Sequence, residues 1–409
     1  MNQDRGGHAA WAVPAGSLYS EAPAGTRAAG PPAANRGRAM SRATSAPIPV
    51  KPGAFTAVPV VDIGVRADGP AARRALAARL GEISHQVGFA IVTRHGIAPG
   101  VIRDVFGHAA RFFSLPEADK CSIDKRNSRH FRGWEPVGSE STNNRPDIRE
   151  QIDLWTDHPA RPPGAEPHYL RLLGPNQWPP EELAPGFRPA LERWFVEMAM
   201  LADDLLRLLA LSLGLAENHF DDVFGTERMS LTKLISYPET PPGQFGVNAH
   251  HDTGFMTILA PGTIPGLEVE NADGKWVPVP VIPDSLVVNL GEILQAITGN
   301  YFVATPHRVV AREPRLSAGY FHGPSLDMRL EPLDLHPRFA EAVARSPRHA
   351  GAGFMAQRDE TEAGVGDMES RHYPRTYGEQ LWNYFARSYP DNVAQHWPAS
   401  VRESSLTAD

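Results

Sequence analysis

Residues 246–259, GVNAHHDTGFMTIL, place two adjacent histidines and an aspartate within three positions. If residues 248–254 form an extended strand, their side chains alternate between its two faces. His250 and Asp252 then share one face, while His251 lies on the other. The pattern predicts that one imidazole and one carboxylate point at a common ligand, and that His251 stays outside the pair.

A third histidine suggests what that ligand is. His307 follows Asp252 by 55 residues, in a second strand-like run, ATPHRVVA. Two histidines and one carboxylate that leave coordination positions open form the facial triad of non-haem iron(II) oxygenases. We therefore predict that His250, Asp252 and His307 bind iron(II) and leave positions for a chelating cosubstrate and for dioxygen.

A carboxylate receptor is predicted just beyond this triad. Arg315 and Ser317 share a strand face with Gly319 and Phe321. A guanidinium beside a hydroxyl binds a carboxylate well, and Phe321 is a candidate substrate contact. Each residue alone has an ordinary explanation: His307 in the core, Arg315 on the surface, Ser317 as a small residue. Their order and spacing together favour the chemical interpretation.

The elements that must position these residues divide into two parts. In the first part we predict a strand at 57–64, a helix at 70–87, a strand at 88–97 and a helix at 101–116. Residues 121–180 are polar and rich in proline, which predicts an irregular segment.

The second part begins with a long amphipathic helix over 189–213, ended by Gly214. Six short runs separated by turn residues then predict strands of a sandwich or barrel. They are SLTKLISYP, FMTILAP, LEVENADGKWVPVP, SLVVNLGEIL, YFVATPHRVVA and RLSAGYFHGP. The third run predicts a hairpin that turns at Asp273 and Gly274, and a final helix is predicted at 377–388.

These elements predict four regions. Residues 1–54, rich in Ala, Gly, Pro and Arg, form a disordered tail, or an extension upstream of a true start at Met40. A targeting segment is the less favoured alternative. Residues 55–180 form an N-terminal α/β region, and 181–340 a catalytic core with its backing helix. Residues 341–409 form a C-terminal segment with a covering helix. The predicted fold class is α+β and mainly β.

Composition limits the partners. The 409 residues are 42% hydrophobic and carry a net charge of −7, which disfavours binding to nucleic acid and favours a small-molecule substrate. One cysteine, Cys121, allows no internal disulfide and suggests the reducing cytoplasm. We see no membrane-spanning run and no sign of an obligate protein partner.

Several motifs resemble the isopenicillin N synthase-like family of iron(II) and 2-oxoglutarate-dependent oxygenases. The resemblance covers most of residues 57–325. The matching segments are VPVVDI, GFAIVTRHGI, FFSLPEADK, FRGW, DIRE, GPNQWP, AHHDTGFMTIL, VVNLGEILQAITGNYFVATPHRVV and RLSAGYFHGPSLD. Arg149 in DIRE replaces the family's lysine, and Ile235 in LISYP replaces its asparagine. The family's fold would be a double-stranded β-helix, or jelly-roll.

The resemblance implies that Arg315 and Ser317 hold the distal carboxylate of 2-oxoglutarate, with Tyr237 assisting it or lining the pocket. Asn289 and Gly291 are interpreted as shaping a turn. The implied enzyme is a dioxygenase that couples decarboxylation of 2-oxoglutarate to hydroxylation, desaturation or cyclisation of a biosynthetic small molecule.

Two alternatives to this function stay open. One is an isopenicillin N synthase-type oxidase, which needs iron and dioxygen but no 2-oxoglutarate. The other is a non-catalytic β-barrel that binds a small molecule or a structural zinc ion. The sequence does not identify the substrate, whose pocket we expect to involve residues 121–180 and 350–372.

Overall fold

The computed structural model describes residues 54–142, 145–162, 164–225, 227–346 and 375–398, all within the unit Ala46–Asp409. The predicted disordered tail and the pocket segment 350–372 therefore fall outside the described residues, apart from residue 54. None of the helices in the described part of the chain combines the length and apolar character needed to cross a bilayer.

The four predicted helices are present among the described residues, together with four that the sequence did not predict. They are α1 Pro70–Gln86, α2 Pro99–Phe113, α3 Glu117–Lys120, α4 Phe187–Ser212, α5 Glu292–Ile297, α6 Arg338–Ala344, α7 Tyr377–Ser388 and α8 Pro390–His396. Short 3-10 turns lie at Gly64–Ala67, Cys121–Ile123, Lys125–Asn127 and His168–Leu172.

The strands are short, as the sequence predicted. They are β1 Val60–Asp62, β2 Phe89–Thr93, β3 Gly133–Glu135, β4 Ser141–Thr142, β5 Arg145–Pro146, β6 Glu150–Trp155, β7 Leu231–Tyr237, β8 Val247–His250, β9 Met256–Ala260, β10 Leu267–Glu270, β11 Trp276–Pro278, β12 Ser285–Leu290, β13 His307–Val309 and β14 Arg315–His322.

Eight strands form a large sheet in the order β1-β2-β12-β9-β14-β7-β6-β3, and four form a smaller sheet in the order β11-β10-β13-β8. Side chains link the two sheets: the ring of Phe89 on β2 lies 5.2 Å from that of His307 on β13. The predicted β-rich core with flanking helices is confirmed. The four region boundaries stay predictions, although strands from 55–180 and 181–340 share the large sheet.

Helix α4 covers the outer face of the large sheet. Its buried Trp194 donates from the indole nitrogen to Thr232 Oγ1 on β7, at 3.1 Å. Helix α1 packs on α4, where a Cβ on Gly81 would lie 2.6 Å from Ser212 Cβ. Glycine is thus needed for the close approach. As predicted, α4 ends before Gly214, whose φ of 77° suits glycine.

The fold contains a network of buried ion pairs. Its members are Lys125, Glu135, Asp153, Lys233, Glu140, Arg149 and Asp147. Lys125 pairs with Glu135 and with Asp153 at 2.7 Å, and Lys233 lies 3.3 Å from Asp153 and 3.0 Å from Glu140. Arg149 completes it, 2.8 Å from Glu140 and 3.1 Å from Asp147. The network joins β3, β6 and β7 to the 3-10 turn at Lys125.

Three predictions about elements need correction. Residues 121–180 are not wholly irregular, because β3 and β6 extend the large sheet and β6 pairs with β7 along its length. The strand in ATPHRVVA is only His307–Val309. Strand β8 ends at His250, so Asp252 does not lie on a strand and alternation along one does not explain its orientation.

Candidate metal centre

Two residues of the predicted triad, His250 and His307, face each other across neighbouring strands. His250 ends β8 and pairs in register with His307 at the start of β13, with ring centroids 4.2 Å apart. Asp252 follows β8 by two residues, and its Oδ1 lies 3.6 Å from His250 Nε2 and 3.5 Å from His307 Nε2. All three ligand atoms lie within 4.8 Å of one another.

Hydrogen bonds orient both imidazoles toward this point. His250 Nδ1 lies 2.9 Å from the carbonyl of Asn248, and His307 Nδ1 lies 3.2 Å from the carbonyl of Thr305. A carbonyl can only accept, so each Nδ1 carries the proton and each Nε2 keeps its lone pair. Metal-binding histidines are commonly held in this way.

The carboxylate of Asp252 is held by the large sheet. Its Oδ2 accepts from Thr257 Oγ1 on β9 at 2.5 Å and from Asn289 Nδ2 on β12 at 2.6 Å, which leaves Oδ1 toward the histidines. The interpretation of Asn289 as a turn residue is therefore wrong. The signal was an amide within the run LVVNL, whose other side chains are apolar and which is wholly buried.

Gly291 shapes the backbone beside this centre. A Cβ at that position would lie 2.1 Å from the carbonyl oxygen of Gly254 and 3.0 Å from that of Asp252. Only glycine allows the segment after Asp252 to approach the end of β12 so closely. The nitrogen of Glu292 then donates to the Asp252 carbonyl at 2.8 Å.

Charge and burial set the protonation of the cluster. Burial disfavours the ionised form of Asp252, but His307, His250 and Thr257 together hold the pKa of its carboxyl well below the usual range. Burial and the neighbouring His250 lower the pKa of His307 to about 4. Burial alone would lower the pKa of His250, but Asp252 raises it above the ordinary value. An anionic oxygen and a neutral imidazole are the forms that metals bind.

The donor set fits a catalytic rather than a closed structural metal site. In the part of the chain that the structure describes, the cluster contains two imidazoles and one carboxylate, with no fourth His, Cys, Asp or Glu. Structural zinc sites use four protein ligands, whereas two histidines and one carboxylate leave positions for substrate-derived ligands. His251 is half-buried and is not among the three.

The predicted carboxylate receptor forms a second cluster. Arg315 on β14 pairs in register with Tyr237 on β7, and the guanidinium lies 4.9 Å from the Tyr237 ring. Ser317 Oγ donates to the Tyr237 hydroxyl at 3.4 Å. The Arg315 side chain donates to the carbonyls of Pro261 and Ile264 at 2.8 and 3.1 Å.

Arg315 is only 5% exposed, and burial lowers its pKa. Within the described ranges it has no hydrogen-bonded carboxylate, so the cluster offers a buried positive charge to an anion. A cavity of about 1130 Å³ borders both Arg315 and Tyr237 and is closed on another side by Phe106 and Ile102 of α2. Arg149 interacts electrostatically with both Tyr237 and His250 and so lies near both clusters.

Phe321 lies at the metal-proximal end of β14. It pairs in register with Thr257, which holds Asp252, and its half-buried ring covers Gly319. Contact between Phe321 and a substrate stays a prediction.

Two family models match this chain. Residues 58–181 match the model described as non-haem dioxygenase in morphine synthesis N-terminal. Residues 216–324 match the 2OG-Fe(II) oxygenase superfamily, where 2OG is 2-oxoglutarate. Both predicted clusters fall within the second match.

Individual proteins show the same similarity. The 2-oxoglutarate-dependent dioxygenase frbJ of Dothideomycetidae sp. (strain 11243) is 32% identical over 84% of this chain and 92% of its own length. Clavatol oxidase claD of Penicillium crustosum is 32% identical over 68% and 88%. The crystal structure of a 2OG-Fe(II) oxygenase family protein from Caulobacter crescentus matches 81% of this chain and 99% of its own, with a TM-score of 0.62 and 23% identity. That structure supports the jelly-roll fold.

Proposed function

Because the chain belongs to the 2OG-Fe(II) oxygenase superfamily, we propose that His250, Asp252 and His307 bind the iron(II) that such an enzyme requires. The observation that carries this proposal is the convergence of two Nε2 atoms and Asp252 Oδ1. The opposite atom of each side chain is already hydrogen-bonded elsewhere. The Nε2 atoms of His250 and His307 and the Oδ1 atom of Asp252 therefore all point toward one common position.

The protein is an oxidoreductase that uses iron(II), 2-oxoglutarate and dioxygen. The proposed anchor for the distal carboxylate of 2-oxoglutarate is Arg315, assisted by Ser317 and Tyr237. Its support is the buried guanidinium, whose described neighbours are carbonyls and a phenol ring rather than carboxylates. A charge-assisted hydrogen bond to a carboxylate would compensate the cost of burying that charge.

When bound, the iron and 2-oxoglutarate supply the oxidation, coupling decarboxylation of the cosubstrate to oxidation of a C–H bond by dioxygen. The chain contributes the position of the ligand atoms. Thr257 and Asn289 fix Asp252, and the buried ring of Phe89 packs against His307. We propose that Phe321 contacts the substrate.

The substrate is a small molecule. The proposed role is in biosynthesis, where the enzyme would hydroxylate, desaturate or cyclise this molecule. The similarity to an enzyme named clavatol oxidase supports this role. Cytoplasmic location and the absence of nucleic acid, membrane or obligate protein partners stay predictions from composition. The similarity to 2-oxoglutarate-dependent dioxygenases does not favour the iron oxidase or the non-catalytic barrel.

Titration under anaerobic conditions tests the assigned residues. Adding iron(II) and 2-oxoglutarate to the full chain is expected to produce the visible absorption band of their chelate. Arg315→Met removes the proposed anchor, so the 2-oxoglutarate affinity should fall about tenfold to a hundredfold. Arg312→Met is the matched control, because Arg312 is exposed three residues away. Equal affinity in the two variants would refute the anchor, and the absence of the band in wild type would refute the metal and cosubstrate assignments.

A further inference from the structure

Arg132 is a buried arginine whose charge the mechanism does not use. Its side chain is 0% exposed, and its Nη1 donates to the carbonyl of His130. Nε and Nη2 are also buried, yet neither has a hydrogen-bond partner among the described residues. Burial lowers the pKa of Arg132 to about 9, so it is still a cation at neutral pH. Unpaired buried donors of this kind call for a ligand or ordered water.

The two unpaired atoms have a specific geometry. Nε–H and Nη2–H lie along the same edge of the planar guanidinium and point in parallel. A carboxylate binds such an edge through both oxygens, with two charge-assisted hydrogen bonds. Arg132 therefore presents the complete edge that a carboxylate recognises, rather than one stray donor.

A third buried donor without a described partner belongs to Trp155, whose ring packs against the Arg132 guanidinium. The Arg132 guanidinium carbon is 5.8 Å from the ring centre of Trp155. Trp155 is 3% exposed, and its indole Nε1 has no hydrogen-bond partner within the described ranges. An indole nitrogen can only donate, so both side chains need an acceptor in the same part of the fold.

The sheet connects Trp155 directly to the metal centre. Trp155 pairs in register with Leu231, Leu231 with Phe321, and Phe321 with Thr257, which donates to Asp252. These four residues form one row across four adjacent strands of the large sheet. At the usual strand spacing the row is about 14 Å long, which is the distance that a ligand reaching from Trp155 to the metal centre would have to span.

Helix α7 covers this row. Gln380 Nε2 donates to the carbonyl of Thr253, next to Asp252, at 3.2 Å. At the other end, the ring of Phe385 packs edge-on against Trp155, with centroids 5.7 Å apart. The segment that carries Asp252 and the Trp155 end of the row thus both contact the same helix.

Asp157 and Asp153 are the charges near Arg132 that would oppose an anion here. Asp157 is exposed, so water screens its charge, whereas Asp153 is buried. Its Oδ2 is 2.7 Å from Lys125 Nζ and 3.3 Å from Lys233 Nζ, so two lysines compensate its charge. Its other oxygen has no hydrogen-bond partner among the described residues and can accept from a hydroxyl or amine. The field at Arg132 therefore still admits a carboxylate.

We propose that Arg132 and Trp155 bind a carboxylate group of the substrate, which places an organic acid along the row with its reacting carbon near the metal. The proposal rests on the proposed function, because it assigns the substrate class of that same site. The fold then contains two carboxylate receptors: Arg315 for the cosubstrate and Arg132 for the molecule that is oxidised.

The test uses three organic acids and their neutral primary amides: benzoate, phenylacetate and hexanoate. Affinity is measured by calorimetry on the full chain loaded with manganese(II) and saturating 2-oxoglutarate, so that the Arg315 receptor is occupied. Wild type is expected to bind at least one acid about tenfold more tightly than its amide. Arg132→Gln should weaken that acid about tenfold to a hundredfold and leave the amide unchanged.

Two further variants complete the design. Trp155→Phe keeps a ring but loses the indole donor, so its affinity for the acid should fall severalfold. If Arg132→Gln does not fold, Trp155→Phe provides the comparison between the acid and its amide. Arg126→Gln is the control, because Arg126 is 79% exposed and pairs with Asp124, and it should change neither affinity.

Equal binding of acids and amides by wild type would overturn the proposal, as would acid affinity that is retained in both folded variants. Succinate release from 2-oxoglutarate is measured on the same preparations with iron(II) and air. Succinate without an Arg132-dependent preference for acids refutes only the carboxylate site. No succinate and no chelate band refutes the proposed function itself.

Discussion

Two adjacent histidines at positions 250 and 251 have different surroundings, because β8 ends between them. His250 is held by the Asn248 carbonyl and faces Asp252, whereas His251 is outside the ligand cluster. His250→Ala should therefore abolish tight iron(II) binding, while His251→Ala retains most of it. Anaerobic metal titration of both variants, with circular dichroism to confirm folding, makes the comparison. Equal losses in the two variants would contradict the assignment.

Sequence reasoning at this scale finds residues whose chemistry is unusual for their spacing. His250, Asp252, His307, Arg315 and Ser317 were identified in this way, and the structure brings them into two clusters. Their roles stay proposals. Asn289 and Arg132 were missed because their significance depends on which partner lies across the fold. No local sequence pattern indicates a hydrogen bond from β12 to Asp252, or two arginine nitrogens that lack a hydrogen-bond partner among the described residues.

Among the elements, the contact between α1 and α4 depends on a single missing methyl group. Gly81→Ala would place its Cβ 2.6 Å from Ser212 Cβ, so the helices must separate, at a cost of about 1–3 kcal/mol. Gly107→Ala, inside α2, meets nothing within 4 Å and should instead stabilise the protein by up to about 1 kcal/mol. Urea denaturation measures both. A Gly81 variant as stable as wild type would show that α1 adjusts without loss.

Periodicity predicted most elements well, because a helix or strand with one buried face has a local pattern. The bounds of α1, α4 and α7 agree with prediction to within two residues. Strand β6 was missed because it carries Glu150, Gln151 and Asp153 in an almost wholly buried setting. Asp153 belongs to the ion network, and Glu150 forms a salt bridge with Lys120. Because these buried positions carry polar residues, the sequence does not show the apolar alternation of a strand.

The buried ion network acts on the whole molecule, since it joins segments far apart in the chain. Burial disfavours the ionised form of Glu140, yet Arg149, Lys233 and Lys125 hold its pKa well below the ordinary value of 4.5. A carboxyl with a lowered pKa in the folded state contributes stability that is fully present above the unfolded value and is lost as pH falls.

Glu140→Gln should therefore destabilise the protein at pH 7 by about 3 kcal/mol, because Arg149 and Lys233 lose a buried partner. The difference from wild type should narrow as the pH falls below about 4.5. Denaturation curves at several pH values measure it, with exposed Glu313→Gln as the control. A difference that is constant or grows on acidification would contradict this account.

Because Asp252 is held by one sheet and the two histidines by the other, metal affinity is coupled to the packing of the whole fold. Both histidines belong to the small sheet, whereas Thr257 and Asn289, which fix the carboxylate, belong to the large one. The spacing between the sheets thus sets the coordination geometry. Metal affinity would then report on core packing: a substitution that forces the sheets apart should raise the metal dissociation constant even if it touches no ligand, and metal loss should loosen contacts far from the centre.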